Sequence, residues 1–189
     1  MIICGVIVAL GGAAQIWKGV KTMRGADRAE LARLMNESDV ALAEAQRLLS
    51  EASPAFQQLL GDVDKLGLGV FRAQQKQAAT KTSELIGRTV AQFRLAEEKL
   101  EAAQKVNRSG RLKQFLDVKI VSYDRVAQSL AVNQEIVDLV LDESITDMQV
   151  LLPKLQEAAA RRDALEKEAQ AASEESKEIS RQIQGSAAK

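Results

Sequence analysis

The side chains that could do chemistry in this chain are clustered carboxylates. They stand at Asp62 and Asp64, at Glu97, Glu98 and Glu101, at Glu174, Glu175 and Glu178, and in an acidic block holding Glu135, Asp138, Asp142, Glu143 and Asp147. Paired carboxylates can hold divalent metals or work as general acid and base. A di-metal helical bundle needs inward Glu residues joined by Glu-x-x-His, and this chain has no histidine at all. That absence also removes Ser-His and Cys-His nucleophile pairs and the His-Glu-x-x-His zinc motif. The acidic block lacks the spacing and the glycine of a calcium loop. Cys4 is the one cysteine, so neither an internal disulfide nor a multi-cysteine metal site can form. The expectation is a chain with no catalytic residues, no metal site and no cofactor, which is not an enzyme.

Two further patterns invite a ligand. Gly61, Gly67 and Gly69 suggest a phosphate loop, but no Lys-Ser/Thr pair follows and no strand precedes them. The stretch from Arg72 to Arg94 is mildly basic, but Glu84 interrupts it and stacking aromatics are scarce. With 26 basic against 26 acidic residues there is no global field to steer nucleic acid. Neither nucleic acid nor a small-molecule substrate is expected as a partner.

The elements that would carry these residues are helices. Among 189 residues, aromatics are 3% and charged residues 28%, and proline occurs only at Pro54 and Pro153. Ala, Leu, Val, Glu, Lys, Gln and Arg dominate, as they do in long helices and coiled coils. Leu31, Leu34, Ala41, Ala45 and Leu48 recur at helical spacing, and Ser53-Pro54 predicts a stop and restart. Leu59, Val63, Leu66 and Val70 keep a 4-3-4 stripe through the glycine-rich stretch. This predicts a continuous but bendable helix, although each glycine costs about 1 kcal/mol relative to alanine. A second stripe runs through Ile86, Val90, Phe93, Ala96, Leu100 and Ala103, and Asn107 to Gly110 reads as its end. A third helix is expected from Arg111 to Leu152, with a possible break where Ser144-Ile145-Thr146-Asp147 resembles a capping box. Beyond Pro153 the dense mixed charge predicts a solvated helix frayed past Gln184.

Charge sets the pairing. Folding back at Ser109-Gly110 places Arg72, Lys76 and Lys81 opposite the stretch 136 to 145, inside the block that holds Glu135, Asp138 and Asp142. Exposed pairs contribute only about 0–1 kcal/mol each, but together they favour one register. The expected fold is all-α: long amphipathic helices in an antiparallel hairpin or bundle, on the order of 50 Å long, behind a short N-terminal hydrophobic helix.

Residues 2 to 17 carry no charge and fall short of the roughly 20 apolar residues of a membrane span. Trp17 and the cations Lys18, Lys21, Arg24 and Arg28 follow them. A cleaved signal peptide would use Gly12-Ala13-Ala14 but lacks a basic start, and a helix buried in protein is a second alternative. The preferred expectation is a single-pass bacterial inner-membrane anchor with a cytoplasmic C-terminal body. Gly5, Ala9, Gly12 and Gly19 would form a small-residue face for helix packing and oligomerisation. The domains expected are residues 1–20 as anchor, 21–152 as a hairpin or bundle with its turn near 107–110, and 153–189 as a charged helix.

Lys18-Gly19-Val20-Lys21 together with Leu59-Leu60-Gly61-x-x-x-Lys65-Leu66 resembles a group of bacterial membrane-associated helical proteins with glycine-zipper segments, whose function is poorly defined. The likeness covers about the first half of the chain. The longer mid-chain glycine zipper of that group is absent here, so no site residues carry over. The resemblance implies a bacterial, membrane-linked helical protein. The leading functional expectation, from the residues themselves, is a membrane-anchored structural or adaptor protein acting through protein partners or self-association. The alternative is a membrane-inserting or pore-forming helical protein.

Overall fold

The structure is a computed structural model that describes residues 25–107 and 110–187. It is all-helical, with α1 Gly25–Leu66, α2 Leu68–Val106, α3 Gly110–Leu141 and α4 Met148–Ala187. Packed neighbours are α1 with α2, α2 with α3, and α3 with α4, so the chain runs up and down in order. At 1.5 Å per residue the helices span about 48 to 63 Å. The α1–α2 turn and the α3–α4 connection share one end. The α2–α3 turn lies at the other.

Heptad spacing explains why the helices are long and paired. In α2 the buried positions Ala79, Thr82, Ile86, Thr89, Phe93, Ala96, Leu100 and Ala103 alternate by three and four, which is the seam of antiparallel helix packing. α3, packed between α2 and α4, is buried over a much wider arc, including Leu116, Ser122, Tyr123, Val126, Leu130, Asn133 and Val137. Phe93 and Tyr123 meet edge to face across α2 and α3, with centroids 6.2 Å apart. The hydroxyl of Ser38 donates to the carbonyl of Ala96 at 2.9 Å, which sets the α1–α2 register. That of Ser122 donates to Ala169 at 3.3 Å and does the same for α3 and α4.

Four local expectations are corrected. The helix expected to continue through residues 59 to 71 reverses at Gly67, whose φ of 72° and ψ of 159° belong to a region that essentially only glycine occupies. Burying two seams of some forty residues against each other outweighs helical continuity at a stretch already weakened by glycine. Pro54 does not stop a helix but lies inside α1. A mid-helix proline costs about 3 kcal/mol, which the burial of Ala52, Phe56 and Leu59 around it offsets. The third helix ends at Leu141 rather than Leu152. The last segment is not merely solvated: α4 packs along α3 through Leu151, Ala158, Arg162, Ala169, Ser176 and Ile183.

The expectation of a single-pass membrane protein is also corrected: among the described residues no helix is long and apolar enough to cross a membrane. Residues 1–20, with the packing face drawn through Gly5, Ala9, Gly12 and Gly19, lie outside the described residues.

Candidate functional site

Polar chemistry gathers at three places, and the first is the end of the bundle where α3 gives way to α4. There the acidic block folds onto its own backbone. The Asp142 carboxylate accepts from the Ser144 N–H at 2.9 Å and the Ser144 hydroxyl at 2.7 Å, closing a turn. Asp147 accepts from the Gln149 N–H at 2.8 Å, so Asp147 itself, not Ser144, caps α4. The side chain and then the backbone N–H of Ser144 hold the Asp142 carboxyl below the usual carboxylate range.

The basic residues of α2 meet this end mainly through backbone. Arg72 donates from Nε to the Val140 carbonyl and from Nη1 to the Ile145 carbonyl, both at 2.7 Å. It thereby closes the C-terminus of α3, where the helix dipole favours a cation. Lys76 pairs with Glu143 at 2.6 Å, with both side chains largely exposed. Of the six residues singled out for hairpin charge pairing, none forms an ion pair with another of the six among the described residues. Glu135 instead pairs with Arg161 of α4 at 2.6 Å, and Asp138 faces the Ser83 hydroxyl at 3.4 Å. Lys81 is exposed and makes no ion pair among the described residues. Nearer the α2–α3 turn, Arg94 bridges to Asp124 at 2.6 Å and Gln104 donates to Asp117.

The second place is a mid-bundle cluster between α1 and α3. Lys119 holds its ammonium 5.3 Å from the Phe115 ring centre and 5.7 Å from that of Tyr123, and 3.3 Å from the Tyr123 hydroxyl. Burial pushes the Lys119 amine below its ordinary value, against the nearby charge of Asp39. Burial likewise raises Asp39, with Lys119 opposing, and Tyr123 is raised by burial and by Asp39. A depressed lysine can serve as a nucleophile. A cleft of about 100 Å³ lies between α1 and α2, lined among others by Gln58, Asp62, Phe71 and Gln75. The cluster reads as a cation held over two rings of its own helix α3, with the charge of Asp39 on α1 acting on it.

The third place was hidden in the charged C-terminal stretch. Arg162 is 3% exposed within the α3–α4 seam, bonded to Asp163 at 2.7 Å and 3.6 Å from Glu166. Burial raises the Glu166 carboxyl, with the charge of Arg162 opposing that. Nη1 of Arg162 and Oδ1 of Asn133, at matching levels of the seam, are both buried without a hydrogen-bond partner. The signal was present in the seven-residue spacing Leu155, Arg162, Ala169, Ser176, Ile183, which puts Arg162 at a seam position despite its charge. Among the described residues no group of three or more His, Cys, Asp or Glu side chains could hold a metal ion.

Most large apolar exposure sits at one end. Of the eight large apolar side chains exposed among the described residues, Leu66, Val70, Met148, Val150 and Leu152 all flank the α1–α2 turn or the α3–α4 connection. Elsewhere the outer faces carry intrahelical pairs such as Arg47 with Glu44 and Glu51.

No protein-family model matches the chain, and neither does any curated protein or any solved structure.

Proposed function

We propose that this chain is a non-enzymatic helical scaffold or adaptor that works through protein–protein interaction at the end of the bundle formed by the α1–α2 turn and the α3–α4 connection. The observation that carries this reading is the placement of Leu66, Val70, Met148, Val150 and Leu152 at that one end. Soluble monomers rarely concentrate large apolar side chains in water unless a partner covers them. The same end is braced: Arg72 fastens α2 to the last turn of α3 and to the connection, so the apolar residues stand on a fixed frame. A rigid frame lowers the ordering cost of binding.

The test uses the full chain as bait in an extract of its source cells, beside the Val150→Glu/Leu152→Glu variant. A partner recovered by the parent and lost by the variant, with helical content unchanged by circular dichroism, supports the reading. Equal recovery by both overturns this end as the interface.

A further inference from the structure

α1 and α4 are the outer helices of the array, each packed along one neighbour: α1 on α2, and α4 on α3. Their seams differ in kind. α1 buries Leu31, Leu34, Leu42, Leu48, Phe56 and Leu59, all at 5% exposure or less. Among the described residues α4 buries large apolar side chains only near its two ends, at Leu151 and Ile183. Between them the buried positions include Ala158, Arg162, Ala169, Ala172, Ser176 and Ser180, while Leu155, Leu165 and Ile179 are only partly buried. Apolar area removed from water holds one helix on another. The 40 residues of α4 therefore gain far less from their seam than the 42 of α1.

The middle of the α3–α4 seam is weakened further. Asn133 Oδ1 and Arg162 Nη1 are buried there without a hydrogen-bond partner. Unsatisfied buried groups destabilise the closed state relative to one that admits water. The hydroxyl bonds that cross the seam are long, at 3.3 Å from Ser122 to the Ala169 carbonyl and 3.4 Å from Ser129 to Glu166. The ion pairs that cross it, Arg161 with Glu135 and Arg125 with Glu168, join partly exposed side chains and hold little.

α4 also begins at a hinge. The frame braced by Arg72 ends at Ile145, which is 5% exposed and whose carbonyl accepts from that arginine. Leu151 is fully buried, and residues 146–150 between the two are all exposed. The chain can turn in that stretch without uncovering a buried side chain.

We infer that α4 opens from α3 as one unit, hinged at residues 146–150, while α1, α2 and α3 stay folded. Opening lets water reach Arg162 and Glu166, and uncovers on α3 the buried 4-3-4 stripe of Ser122, Val126, Ser129 and Asn133. It also divides the apolar end, because Met148, Val150 and Leu152 belong to α4 whereas Leu66 and Val70 do not. α4 is thereby a strap whose closure completes the surface proposed as the interface. That consequence rests on the scaffold reading; the opening itself does not.

Hydrogen–deuterium exchange of the full chain without denaturant, read by mass spectrometry of its peptides, tests the opening. Residues 155–175 should exchange about a hundredfold faster than residues 34–59 of α1 and 123–137 of α3. Arg161→Glu sets a carboxylate against Glu135 at an exposed site and should speed α4 exchange by about a further fivefold, leaving α1 unchanged. A disulfide between Ser122→Cys and Ala169→Cys, in a Cys4→Ser background, should slow α4 to the rate of α1 when oxidised and release it when reduced. Should that pair not close, Arg161→Glu decides. Equal protection of α1 and α4 overturns the inference. Equally fast exchange in both also overturns it, because outer position and not seam composition would then decide. Exchange that slows steadily from Ala187 towards Met148 is fraying and overturns opening as a unit. The capture experiment judges the scaffold reading separately: fast exchange of α4 beside equal recovery by the Val150→Glu/Leu152→Glu variant keeps the hinge and overturns only its consequence for the apolar end.

Discussion

Removing the Arg72 guanidinium should destabilise the fold more than breaking a visible ion pair one turn away. Arg72 donates two hydrogen bonds at 2.7 Å to the Val140 and Ile145 carbonyls, from a half-buried position. Hydrogen bonds from charged groups contribute roughly 1.5–3 kcal/mol each, and a cation at a helix C-terminus adds about 0.3–1 kcal/mol. Partial solvent access reduces these figures, which leaves about 3 kcal/mol for Arg72→Met, a change that keeps the apolar stem. Lys76→Met removes the pair with Glu143, whose two side chains are 61% and 73% exposed, and should cost far less than Arg72→Met. Urea unfolding followed by far-UV circular dichroism gives both values. Amide exchange localises the effect, because Arg72→Met should speed exchange in the last turn of α3 and in residues 142 to 147 while leaving the α2–α3 turn unchanged. Equal losses for the two variants, with no local change in exchange, would show that the arginine does not close α3.

Two carboxyls should titrate on opposite sides of the usual range. The Ser144 hydroxyl and N–H hold Asp142 low, so its contribution to stability is present above the ordinary carboxylate range and is lost as pH falls through the depressed value; Asp142→Asn should flatten that part of the acid limb. Burial holds Glu166 high, so its contribution is complete at low pH and is lost as pH rises through the raised value. Carboxyl-carbon NMR titrations check both, and Glu166 titrating at or below Asp142 would refute the assignment. Arg162→Met should lift Glu166 further, because the cation that opposes its burial is gone. The double variant Arg162→Met/Glu166→Gln should be neutral or more stable by about 1–4 kcal/mol, as replaced buried ion pairs are; a loss of several kcal/mol in denaturant would show instead that the pair holds α3 and α4 together.

Composition and spacing carried the all-helical class, because proline is confined to two positions and apolar residues recur at three and four. The α2–α3 reversal was legible as well, since Asn107 and Gly110 follow a long uninterrupted stripe. Periodicity describes which face of a helix is apolar, but not which other face it will meet. For that reason the stripe through Leu66 and Val70 read as unbroken helix, although the chain reverses at Gly67: the decision belongs to α2, whose seam offers α1 more burial than continuity does. Pro54 shows the same from the other side, a local breaker overruled by the packing of Phe56 and Leu59.

The polar sites divide in the same way. The sequence by itself determined that no histidine-based catalysis is available and that basic residues of α2 would lie near the acidic end of α3 once the hairpin closed. Only the tertiary structure decided what each charge does there. Asp142 and Asp147 bond to local backbone N–H groups, Arg72 bonds carbonyls in place of carboxylates, and Glu135 turns to α4. Helix ends leave unsatisfied N–H and C=O groups that compete for side-chain charge, and their positions exist only once the ends are placed. Arg162 is the plainest case. Its residue type argues for water and its seven-residue spacing for the seam, and packing against α3 settled the matter because that stripe is the face α4 buries.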